Sequence, residues 1–215
     1  MSFRDRRDAG RQLAGRLEHL RGQEAVVLGL PRGGVPVAAE IAAALGAPLD
    51  VIVVRKLGAP GRPELAMGAV GEGGTVVRDD RVLRLARVPE AEFTAERDRQ
   101  QREVARRARV FRDVRPRVPL TGRPAVLVDD GVATGSTARA ACDVARAAGA
   151  SRLVLAVPVC APDAAAVLST LVDEFVALSV PPGFRAVGQA YGDFRATEED
   201  EVLALLRREA GGQPV

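Results

Sequence analysis

The chain has 215 residues, 47% hydrophobic and 27% charged, with a formal net charge of +3; this composition excludes a disordered chain and fits one well-filled core. No apolar run approaches the roughly 18 residues that span a bilayer, which excludes a membrane-spanning reading and leads to an expected cytoplasmic location. Cys142, Cys160 and the lone His19 have neither zinc-site spacing nor that of a Cys/His nucleophile.

In chain order, residues 3–20 read as an amphipathic helix with Leu13, Leu17 and Leu20 on one face. Residues 25–30 form an apolar strand ended by Pro31-Arg32-Gly33-Gly34, and residues 35–45 a helix closed by Gly46. Residues 49–54 are the next strand. Residues 56–63, with two glycines and two prolines, read as a loop. Residues 66–70 and 75–78 make a hairpin around Gly71-Glu72-Gly73-Gly74, followed by a long polar helix over 89–114. Strands at 125–128, 153–157 and 174–177 then alternate with helices at 136–148, 163–171 and 197–208. The alternation predicts an α/β protein, an open, mostly parallel sheet flanked by helices. One domain over 1–215 is expected, with 66–117 as a helical and hairpin insertion acting as lid or hood.

Charge gathers in that insertion. Residues 97–117 hold nine arginines against Asp98, Glu103 and Asp113. An ion-paired, solvated face is favoured over a nucleic-acid stripe, because aromatics for base stacking are nearly absent there. Lys56 is the only lysine among 31 basic residues, and an ammonium and a guanidinium are not equivalent at a phosphate.

The most informative segment is Val126-Leu127-Val128-Asp129-Asp130-Gly131-Val132-Ala133-Thr134-Gly135-Ser136-Thr137. A short strand delivers two carboxylates to its C-terminal end, where open α/β sheets hold ligands. The small, hydroxyl-rich residues that follow run into a helix N-terminus, whose N–H groups and dipole suit a phosphate. No Gly-Lys-Ser/Thr follows and no GxGxxG is present, so this is neither a nucleoside-triphosphate P-loop nor a dinucleotide fingerprint. Adjacent acids ahead of a phosphate loop can accept hydrogen bonds from vicinal sugar hydroxyls or hold Mg²⁺.

This segment resembles the signature of type I phosphoribosyltransferases. The resemblance implies that Asp129 and Asp130 hold the ribose hydroxyls of phosphoribosyl pyrophosphate and that Ala133, Thr134, Gly135, Ser136 and Thr137 cradle its 5′-phosphate. It implies a pyrophosphate loop at Arg32, Gly33 and Gly34, of the kind often built around a non-proline cis peptide. Lys56, with Arg55 second, matches the position from which the family projects a basic residue, and residues 58–64 would be the flexible closing loop, with Glu64 a candidate base. Tyr191 and Phe194 match the hood over the acceptor. The implied reaction is Mg²⁺-dependent transfer of the phosphoribosyl group to a nitrogen acceptor, a nucleobase or related ring, by a homodimer, with Asp129, Asp130, Lys56 and Arg32 as the catalytic set. Asp129 and Asp130 are also the candidate metal contacts. The resemblance covers 25–57 and 125–194. The arginine-rich insertion departs from it, and the alternative reading is a non-catalytic sensor of phosphoribosyl pyrophosphate that binds nucleic acid through residues 97–117.

Overall fold

The computed structural model describes residues 2–210, without the side chains of Glu64, Glu209 and Ala210. Helix α1 (Arg6–Gly15) begins where the Asp5 carboxylate accepts the Asp8 N–H at 2.7 Å. The expected helix over 3–20 is therefore shorter: Phe3 lies outside it in a bridge to Tyr191, and Leu20 reaches the core from a 3₁₀ turn, Glu18–Leu20. Strand β1 (Val26–Gly29) is buried throughout and leads into α2 (Gly34–Leu45), which Gly46 closes at φ 64°.

The strand expected over 49–54 is divided between two sheets. β2 (Leu49–Val51) pairs with β1, whereas Val54 opens β3 (Val54–Ala59) elsewhere. The expected loop at 56–63 is a hairpin: β3 pairs antiparallel with β4 (Arg62–Gly71) across Pro60-Gly61, with Ala59 opposite Arg62 and Gly61 at φ 68°. Two of the four breakers make the turn, and Gly58 sits where the register slips, as a bulge requires. β5 (Val76–Arg78) completes this three-stranded sheet as the second arm of the expected hairpin, with Val70 opposite Val76. A short helix that the sequence reading lacked, α3 (Asp80–Ala86), follows, capped by Asp79, and then α4 (Glu90–Arg112).

The alternation resumes with β6 (Pro124–Val128), α5 (Ser136–Ala147), β7 (Arg152–Val159), α6 (Pro162–Leu168), β8 (Glu174–Ser179) and α7 (Glu199–Ala210). The main sheet is parallel throughout, as expected, in the order β2-β1-β6-β7-β8. The central strands are buried on both faces: Val126 and Val128 pack toward α1, α2 and α7, while Ala125 and Leu127 pack toward α5 and α6. The chain leaves β1 toward one edge of the sheet and β6 toward the other. The loops after β1 and β6 therefore diverge, and open α/β sheets carry their crevice at such a switch point.

Candidate functional site

The β1–β6 ladder is extended by the Leu30 N–H, which donates to the Val128 carbonyl at 2.8 Å, so both loops start side by side. The Pro31–Arg32 peptide is cis. Gly33 and Gly34 are demanded by close approach: a Cβ at Gly34 would overlap the Val128 carbonyl oxygen, and one at Gly33 the Asp130 carboxylate. Loop 31–34 and the acid pair thus form one continuous surface.

Asp129 and Asp130 are half-buried at the end of β6, and the Asp130 N–H donates to Asp129 Oδ1 at 2.9 Å. Burial holds the Asp129 carboxyl well above the usual carboxylate range, and the charge of Asp130 adds to this. Burial raises Asp130 as well, against the opposing pull of Arg6, whose Nε donates to Asp130 Oδ2 at 2.8 Å.

Beyond the acids, Gly135 at φ 77° turns the chain into α5, and the Thr134 and Ser136 hydroxyls lie 3.3 Å apart. No side chain caps this helix. Its first-turn N–H groups have no intrahelical acceptor, and they adjoin the exposed Ala133, Thr134 and Thr137.

The β3–β4 hairpin brings Lys56 to both loops. Lys56 lines a cavity of about 820 Å³ with Pro31, Arg55, Arg107 and Thr137, and a second of about 980 Å³ with Ala133, Thr134, Gly135 and Ser136. Arg32 lines a smaller cavity of about 370 Å³ with Arg106, Arg107 and Thr137, and its Nη1 lies 3.9 Å from Glu198. The Glu64 side chain, the candidate base, lies outside the described part of the structure.

Tyr191 and Phe194 are placed differently from the expected hood. Tyr191 is 8% exposed, with its ring 5.4 Å from Phe3 and 5.0 Å from Phe194, and its hydroxyl donates to the Asp130 carbonyl at 2.5 Å. The Phe194 ring stacks on Tyr191 and is covered by the Arg6 guanidinium at 4.1 Å. Packing and hydrogen bonding use the Tyr191 ring behind the acid pair, whereas Phe194, beside Tyr191 and Arg6, remains 36% exposed. Arg6 itself was missed in the sequence: it stands 124 residues before its partner, outside any motif.

Much of the arginine-rich charge is spent within the fold. Arg112 joins buried Asp50 at 2.7 Å to Glu72 at 2.5 Å, and Arg115 is buried. Glu103 receives Arg106 and Arg107, each at 2.8 Å, and Arg55 at 3.6 Å.

The model of the phosphoribosyl transferase domain matches residues 6–179. Two strains of Mycobacterium tuberculosis, CDC 1551 and H37Rv, carry proteins assigned as phosphoribosyl transferases that are 57% identical over 206 residues, 96% of this chain and 46% of theirs. The chain thus spans about half the length of these curated relatives. The crystal structure of TT1426 from Thermus thermophilus has 49% sequence identity and a TM-score of 0.92, covering 97% of this chain and 99% of that one. With that model matching most of the chain and these relatives matching nearly all of it, the chain belongs to the phosphoribosyl transferase domain family.

Proposed function

We propose that the chain binds phosphoribosyl pyrophosphate across the loops that follow β1 and β6 and transfers its phosphoribosyl group to a nitrogen acceptor, a nucleobase or related ring, releasing pyrophosphate. The observation that carries this reading is the apposition of Gly33 and Gly34 on Asp130 and Val128, which makes one surface from two anion-binding loops and a carboxylate pair. The 5′-phosphate would take the α5 N-terminus with the Thr134, Ser136 and Thr137 hydroxyls, and the ribose hydroxyls would donate to Asp129 and Asp130.

Mg²⁺ fits this donor set. Among the described residues no group of three or more His, Cys, Asp or Glu forms an all-protein cage, and Mg²⁺ is commonly held by one or two carboxylates together with substrate phosphates. Asp129 and Asp130 are the carboxylates that would contribute, and the ion would supply neutralisation of the departing charge. The chain's own part is positioning and electrostatics: backbone N–H groups of loop 31–34 with Arg32 and Lys56 bind the leaving pyrophosphate, while the acids hold the sugar in line.

Calorimetry tests the reading. Binding of phosphoribosyl pyrophosphate that depends on Mg²⁺ is expected, and absence of binding at millimolar ligand would sink it. A screen of purines, pyrimidines and their analogues for consumption of phosphoribosyl pyrophosphate then identifies the acceptor.

A further inference from the structure

Residues 3–6 are zipped to residues 190–195. The Phe3 N–H donates to the Ala190 carbonyl at 2.7 Å, the Gly192 N–H to the Phe3 carbonyl at 2.8 Å, and the Asp193 N–H to the Arg4 carbonyl at 2.8 Å. This clasp carries Arg6 to the back of the acid pair, with its side chain 12% exposed. There it makes three contacts: Nε to Asp130 Oδ2 at 2.8 Å, Nη1 to the Arg195 carbonyl at 2.7 Å, and the guanidinium plane over Phe194. The Tyr191 hydroxyl fixes the backbone of the same aspartate. The proposed reaction leaves this assembly without a role.

We propose that Arg6 is a positioning residue for phosphoribosyl pyrophosphate, holding the Asp130 carboxylate oriented so that Oδ1 accepts a ribose hydroxyl. The inference rests on the functional reading above. Its physical basis is a three-point grip: Phe194 and the Arg195 carbonyl fix the guanidinium, and the guanidinium engages only one carboxylate oxygen. Asp129 stands beside Asp130 with its own Oδ1 accepting the Asp130 N–H, and the Tyr191 hydroxyl holds the Asp130 carbonyl, so the backbone is fixed and Arg6 sets the direction of the carboxylate.

The test is the affinity for Mg²⁺–phosphoribosyl pyrophosphate, measured by calorimetry for the wild type, Arg6→Gln, Arg6→Lys, Asp130→Asn and the Arg6→Gln/Asp130→Asn double variant. Arg6→Gln is expected to lose about tenfold or more in affinity, as for loss of a charge-assisted hydrogen bond. Arg6→Lys should restore most of it, and in the Asp130→Asn background Arg6→Gln should cost nothing further. Unchanged affinity in Arg6→Gln overturns the inference, as does a loss that is not rescued by lysine and is additive with Asp130→Asn. Should Arg6→Gln not fold, Arg6→Met, which keeps the aliphatic stem over Phe194, replaces it. A wild type that binds nothing defeats the functional reading and this inference with it, whereas an unaffected variant beside a binding wild type defeats the inference alone.

Discussion

The acid pair works against the stability of the fold that presents it. Both carboxyls are held above their ordinary range, Asp129 by burial and then by the charge of Asp130. Between the ordinary carboxylate pKa and these raised values the folded chain binds more protons than the unfolded one, so stability falls as pH rises through that window. Asp129→Asn is therefore expected to melt higher than the wild type at pH 8, with the gain vanishing below about pH 4, where the wild-type acid is protonated in both states. The same variant should bind Mg²⁺–phosphoribosyl pyrophosphate about 10–100-fold more weakly, the scale of a lost charge-assisted hydrogen bond. Thermal unfolding at the two pH values and calorimetry check both arms. Gly34→Ala tests the close approach of the loops: with the Val128 carbonyl oxygen in the way, it should cost about 1–3 kcal/mol in urea unfolding. At this scale the Asp-Asp pair and the two loops were legible, because strand, acids, small residues and helix follow one another locally in the chain. Arg6, Phe3 and the inward use of Tyr191 were not, since each depends on contacts between chain ends with no sequence spacing to betray them.

Among the elements, the parallel sheet and its helices were read well from hydrophobic runs, and of the second sheet only the β4–β5 hairpin was. Residues 56–63 look like a loop because Gly58, Pro60, Gly61 and Pro63 break the apolar pattern, yet two of these residues form a two-residue turn between strands. The division of 49–54 was equally hidden, because an unbroken apolar run says nothing about which sheet each half joins. The clamp between α4 and the main sheet explains why part of the arginine-rich segment is structural. Asp50, 1% exposed, accepts from Arg112 Nη1 and from the Val51 and Val118 N–H groups. Arg112→Met would leave that carboxylate buried without its counter-charge, so a loss of about 3–5 kcal/mol in urea unfolding is expected. Asp50→Asn introduced into Arg112→Met should recover part of it, because the amide carries no charge and its oxygen still accepts one of the two backbone donors.

At the scale of the whole molecule, ligand and fold are linked. A ligand at about 100 times its Kd stabilises the state that binds it by about 2.7 kcal/mol, which for a chain of this length raises the melting midpoint by about 5–11 °C. Mg²⁺ with phosphoribosyl pyrophosphate should produce that rise, and ribose 5-phosphate, lacking the pyrophosphate proposed for loop 31–34, a smaller one; equal shifts would count against the pyrophosphate assignment. The clasp of residues 3–6 on 190–195 also has a consequence for biosynthesis. Translation makes Phe3 and Arg6 nearly two hundred residues before their clasp partners. The acid pair can emerge and the central strands can pair while its back wall is still on the ribosome. The clasp closes behind the acid pair only after the parallel sheet that carries it has been made.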